Sequence, residues 1–122
     1  MKKVLGMMVF CVLLSIQVQA FEPPHFANTS GELSADALVF TGEGYFYGIM
    51  VATDGTNNCT ISIYDNTSAS GTELIPTWVA VTNSANRAQY FSLPTPVRFG
   101  TGIYVDITCA GTAGYTVYYR KK

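Results

Sequence analysis

The side chains able to do chemistry are few and scattered. After residue 20 the chain holds one histidine, His25, two cysteines, Cys59 and Cys109, and all eight acids. A Ser-His-Asp or Cys-His centre needs an imidazole held by a third group. His25 follows Pro23-Pro24 in a stretch with no strand or helix period, a poor seat for a catalytic base. Zinc needs several His or Cys ligands at close spacing, which the chain lacks. No Gly-rich loop opens onto a helical segment, so phosphate cradling has no scaffold. Asp65 and Asp106 could approach one another as strand-end or exposed-face carboxylates. Such a pair could serve a glycosidase or hold calcium, or be two solvated charges. Asp54-Gly55-Thr56-Asn57-Asn58 alternates oxygen ligands as calcium loops do. It lacks the later glycine and the closing glutamate, and a hairpin turn explains it. The expectation is no catalytic residue, no metal site and no cofactor.

Aromatic side chains offer the better candidate surface. Tyr64 and Tyr104 fall on the polar faces of their strands. Trp78 falls opposite Ile75, Thr77, Val79 and Val81, hence outward or at a rim if that apolar set is inward. Exposed aromatics stack on sugar rings or anchor a protein interface, and they also stabilise a sheet by cross-strand pairing.

These residues depend on strands for their positions. Gly, Pro, Asn and Asp clusters punctuate the chain from residue 42 onward, and Val, Ile, Thr, Tyr and Phe fill the runs between. That chemistry predicts strands over 37–41, 45–53, 59–65, 74–82, 88–93, 97–99, 103–109 and 115–120. Short strands at frequent turns argue for an all-β antiparallel sandwich or jelly roll of seven to eight strands. Two runs alternate cleanly. Cys59, Ile61 and Ile63 share one face of theirs, and Ile103, Val105, Ile107 and Cys109 share one face of the other. Side chains two apart point the same way, so both cysteines face inward, one at a strand start and one at a strand end. Antiparallel neighbours or facing sheets would join them in a disulfide. Residues 21–36 read as an extended or flexible arm.

The N-terminus begins Met1-Lys2-Lys3, continues apolar from Val4 to Ile16 and closes on Val18 and Ala20. Those are the three parts of a secretory signal peptide, with cleavage expected after Ala20. The apolar run is shorter than the ~20 residues that span a bilayer; an uncleaved anchor is the alternative. Cleavage would leave 102 of the 122 residues, one small domain over 37–122 behind its arm. It would carry eight acids against five bases, a net charge of −3. Nucleic-acid binding needs clustered positive charge, and the only basic run is Arg120-Lys121-Lys122. An even cysteine count in an exported chain favours the disulfide.

Three stretches carry a resemblance: Ile61 to Thr72 with its Ile63-Tyr64-Asp65 and Ala69-Ser70-Gly71-Thr72, Val97 to Val105 with its Gly102-Ile103-Tyr104-Val105, and Val117-Tyr118-Tyr119-Arg120. Together they resemble small β-sandwich proteins of tailed-phage and environmental viral genomes, over about residues 38–120. That resemblance implies a non-enzymatic virion component, a head-decoration or tail-associated subunit that packs against copies of itself. The export signal and the cysteine pair depart from that pattern. The other expectation is a secreted or periplasmic module binding a glycan or a cell-surface protein through Trp78, Tyr64 and Tyr104.

Overall fold

The computed structural model describes residues 27–122. The expected signal peptide, His25 and the first part of the arm lie outside the described residues.

Eight strands and no helix make up the described residues: β1 (Asn28–Thr29), β2 (Ala37–Thr41), β3 (Gly44–Thr53), β4 (Cys59–Tyr64), β5 (Glu73–Ala80), β6 (Ala88–Phe99), β7 (Gly102–Cys109) and β8 (Ala113–Lys121). They form two four-stranded sheets, in the orders β1-β8-β3-β6 and β2-β7-β4-β5, with every pairing antiparallel. These are called the β3 sheet and the β4 sheet below. The pairs β4-β5, β3-β6, β2-β7 and β1-β8 are nested, as in one long hairpin rolled into two layers. That is the jelly-roll arrangement.

The core lies between the layers. Phe46, Ile49, Val51, Tyr115 and Val117 line it from the β3 sheet, and Ile61, Ile63, Ile103 and Val105 from the β4 sheet. Period-two alternation places them, except that a bulge at Tyr47 shifts the parity of β3 between Phe46 and Ile49. Phe40 closes one end, its ring 5.9 Å from that of Phe99 and 5.4 Å from that of Tyr119.

Cys59 and Cys109 stand directly opposite each other on β4 and β7, the inner strands of one sheet. They are disulfide-bonded, with a Cα–Cα distance of 4.4 Å. This close spacing is that of a non-hydrogen-bonded antiparallel pair, where opposed side chains come nearest. The bond therefore joins neighbours within a layer rather than the two layers.

Three local features differ from the pattern expected of the sequence. First, part of the arm is docked on the sheet. Asn28 and Thr29 pair with Tyr119 and Tyr118, and Leu33 bridges to Tyr115. The Tyr115 hydroxyl then donates to the Ala35 carbonyl at 2.7 Å. Burial pushes this phenol well above its ordinary pKa, with the charges of Asp36 and Tyr104 adding to the effect, so it remains a donor.

Second, 88–93 and 97–99 are one strand. The Pro94-Thr95-Pro96 stretch read as a turn is a wide bulge: Ser92 and Val97 stand opposite Gly48 and Phe46. β6 is an edge strand, where a proline's missing N–H costs no ladder bond.

Third, Trp78 points inward. Ile61 pairs with Trp78 but Ile63 pairs with Ile75, so β5 spends three residues where β4 spends two. This bulge at Pro76-Thr77 reverses the alternation. Trp78 packs against the core with its ring 5.6 Å from Phe91, while Val79 and Val81 are exposed. The expectation of Trp78 opposite an inward Val79 and Val81 is therefore corrected.

Candidate functional site

The acidic candidates serve turns. Asp65, just after β4, accepts backbone N–H groups from Gly100 at 2.8 Å, Thr101 at 2.7 Å and Gly102 at 3.3 Å. Partial burial works to raise its pKa, but these three amides outweigh it and hold the carboxyl below its ordinary value. Asp106 sits elsewhere, on the outer face of β7 opposite Ser62. Asp65 is thus pinned to the β6–β7 turn. An open hollow of about 310 Å³ lies on the other sheet around Glu32, Ala52 and Gly114.

Asp54 caps its own turn. Its Oδ1 accepts the N–H groups of Thr56 and Asn57 at 2.8 and 2.9 Å, and its Oδ2 accepts the Asn57 side-chain amide at 2.8 Å. Asn58 turns away to accept the Thr82 N–H. The connection is not the hairpin turn expected of it, because β3 and β4 belong to different sheets; the Asp54 oxygens serve this crossing turn and the Asn58 oxygen serves Thr82. Among the described residues no group of three His, Cys, Asp or Glu side chains is placed to hold a metal.

This capping has a measurable consequence. The Asn57 backbone amide first, then its side chain and the Thr56 amide, hold the Asp54 carboxyl at about 2, against an ordinary 3.8. A carboxyl lowered by folding contributes stability that is complete above its unfolded pKa and lost as pH falls toward the folded one. Asp65 has the same sign, as does Glu43, lowered by bonds from Lys122 and Arg98. The melting temperature should therefore fall as pH drops from about 5 to about 2. Asp54→Ala should lower it at neutral pH and make that acid limb shallower, as thermal melts across this range would show.

The candidate surfaces are the two outer sheet faces. On the β4 sheet, Leu38, Tyr104, Tyr64 and Glu73 form a row across β2, β7, β4 and β5. Tyr64 and Tyr104 are direct cross-strand partners, both half-buried. Beside them Ser62 shares a hydrogen bond with Thr77 at 2.8 Å, and Thr77 donates to Glu73 at 3.1 Å. The structure therefore brings Tyr64 and Tyr104 together and leaves Trp78 in the opposite, inner layer of side chains.

The β3 sheet holds a second aromatic face. Arg98, Tyr45 and Arg120 form one row across β6, β3 and β8, with the Arg120 guanidinium 5.0 Å from the centre of the Tyr45 ring. In the following rows Tyr118 flanks Gly48, and Met50 pairs with Tyr90. The Tyr90 and Tyr118 rings meet edge to face at 5.6 Å. Tyr90 is 55% exposed and Met50 39%. Tyr90 and Met50 gave no distinct signal in the sequence.

No helix among the described residues is long and apolar enough to cross a membrane. No protein-family model matches the chain, and neither a curated protein nor a solved structure matches it.

Proposed function

We propose that the protein is an exported, non-enzymatic structural protein that works by packing its sheet faces against copies of itself, in the manner of a virion-associated β-sandwich subunit. The observation that carries this reading is where apolar surface is left uncovered. Leu38 and Val79 lie on the outer face of the β4 sheet, Val81 just beyond it, and Met50 and Tyr90 on that of the β3 sheet. Exposed apolar residues gathered with tyrosines are the usual centre of an interface. The cysteine bridge fits an oxidising, exported location. Jelly rolls recur in both viral capsid and lectin domains, so the architecture alone selects no role.

Static light scattering on the purified protein tests this reading. The mass should rise above the monomer's with concentration, and Met50→Ser with Tyr90→Ser should weaken association by at least tenfold, about 1.4 kcal/mol. A chain still monomeric at about 1 mM has no self-affinity of consequence, and the reading ends there.

A second reading has its own observation. Tyr64 and Tyr104 lie side by side with Ser62, Thr77 and Asp106 nearby, an aromatic platform rimmed by hydroxyl and carboxylate groups. Such a surface suits a glycan. Tyr64→Ala with Tyr104→Ala should abolish retention on a glycan array. Trp78→Ala is a poor probe, because Trp78 packs against the core.

A further inference from the structure

We infer that the two outer faces are complementary halves of a single self-interface, so that subunits stack head to tail. This rests on the self-packing reading above and adds its geometry.

Charge distinguishes the two faces. No acid occurs in any strand of the β3 sheet, while β6 and β8 carry Arg98 and Arg120 in its outer row; Lys121, the last residue of β8, turns over the Phe40 ring instead, at 5.3 Å. No base occurs in any strand of the β4 sheet, while β5 and β7 carry Glu73 and Asp106. Strand charges are thus sorted by layer. Two acids flank the β3 sheet from loops. Glu43 binds both Arg98, at 3.0 Å, and Lys122, at 2.9 Å, so one carboxylate is shared by two cations. Glu32 lies over Gly114, at the end of the face away from the arginine row. Arg120 has no carboxylate partner among the described residues.

Each face also has an apolar, tyrosine-bearing centre. On the β3 sheet it is Met50, Tyr90 and Tyr118; on the β4 sheet it is Leu38, Tyr64 and Tyr104. One face is therefore apolar with a basic margin at its Arg98 and Arg120 end, the other apolar with an acidic margin of Glu73 and Asp106. Complementary potentials of this kind set which surfaces meet, because opposed like charges are costly.

The alternatives for a second copy are weaker. Pairing the β3 faces about a twofold axis sets arginines against arginines, and pairing the β4 faces sets carboxylates against carboxylates. Adding strands edge to edge meets Pro76 on β5 and Pro94 and Pro96 on β6. The other two edges are β1, of 2 residues, and β2, of 5. Prolines and short strands are the ordinary means of blocking edge addition. The face of one subunit against the opposite face of the next avoids both obstacles.

Such a contact is heterologous: each subunit uses one surface and offers the other, so the series continues unless its rotation closes a ring. The two faces lie on opposite sides of a two-layer sandwich, which favours a straight stack. With sheets about 10 Å apart inside a subunit and about 10 Å apart across the contact, the repeat is about 20 Å.

Sedimentation of the purified protein, with paired charge reversals, tests the arrangement. In about 0.05 M salt the average mass should climb with concentration past the dimer, and in about 1 M salt it should fall back, because added ions screen the margins. Arg120→Glu alone and Asp106→Lys alone should each weaken association at least tenfold. An equal mixture of the two should assemble again, since each variant supplies the charge that the other's altered face needs. Far-UV spectra confirm that both fold; if Asp106→Lys does not, Glu73→Lys replaces it. If one variant assembles as well as the parent, or the mixture assembles no better than its parts, head-to-tail stacking is wrong while self-packing stands. A parent protein that remains monomeric throughout removes both.

Discussion

Replacing both bridged cysteines, Cys59→Ala with Cys109→Ala, should cost about 4 kcal/mol of folding stability by the chain-entropy estimate. The bond closes a loop spanning 50 positions, so it removes many conformations from the unfolded chain and few from the folded one. It also pins β4 to β7, the two inner strands of their sheet. Domains of this size have net stabilities of roughly 5–10 kcal/mol, so the loss should remove a large part of the whole. Urea titrations of the parent, the double variant and the reduced parent would measure it. The reduced parent and the variant should unfold at similar, much lower urea concentrations. A difference below about 1 kcal/mol from the oxidised parent would mean that the sheets hold without the bond and that the chain-entropy account fails here.

Gly48→Val should destabilise by about 3 kcal/mol, the upper end of the usual range for overpacking. Replacing a glycine often stabilises a protein, because the unfolded chain loses freedom. Gly48 has no positive φ, so its backbone accepts other residues and available space decides the sign. β3 lies between β8 and β6, and the bulged β6 passes close at this position. A Cβ at Gly48 would collide with the Phe91 carbonyl oxygen and lie 3.2 Å from the Ser92 Cα. Both obstacles are backbone, and backbone bonded into a sheet cannot turn aside as a flexible side chain does. Gly100→Ala is the control: its nearest neighbour would be an Asp65 oxygen at 3.8 Å, ordinary contact, so its effect should stay within about 0.5 kcal/mol. Equal melting temperatures for the two variants would show that β6 gives way at Phe91.

What could be read from the sequence follows from the range of each interaction. Strands β4 and β7 were legible because their alternation is local and unbroken, and the same alternation turned both cysteines inward. The orientation of Trp78 was not legible. Its parity depends on a bulge beside Pro76, and a bulge is set by pairing with β4. Pro94 and Pro96 are turn residues by local chemistry, and only an edge position, known once the sheet is assembled, turns their stretch into a bulge. Asp65 looked like half of a carboxylate pair because the amides that occupy it come from residues 100–102. The sorting of charge between layers was equally hidden. Residues 73, 98, 106 and 120 alternate in sign along the chain, and they separate only when strands are dealt to different sheets.

The nested pairing of strands also bears on how fast the molecule can form. Only β4 and β5 meet across a short connection; β3 must then find β6, β2 must find β7, and β1 must wait for β8. Each outer pair closes a longer stretch of chain than the one inside it, and that entropy is lost before the contacts repay it. Sandwiches dominated by such distant partners fold in milliseconds to seconds rather than microseconds. During that interval the apolar sides of β3 and β8 have nothing to cover them. Once formed, the sulfur bond holds β7 near β4 even in the open chain, so an oxidised molecule has the β4–β7 part of that search shortened.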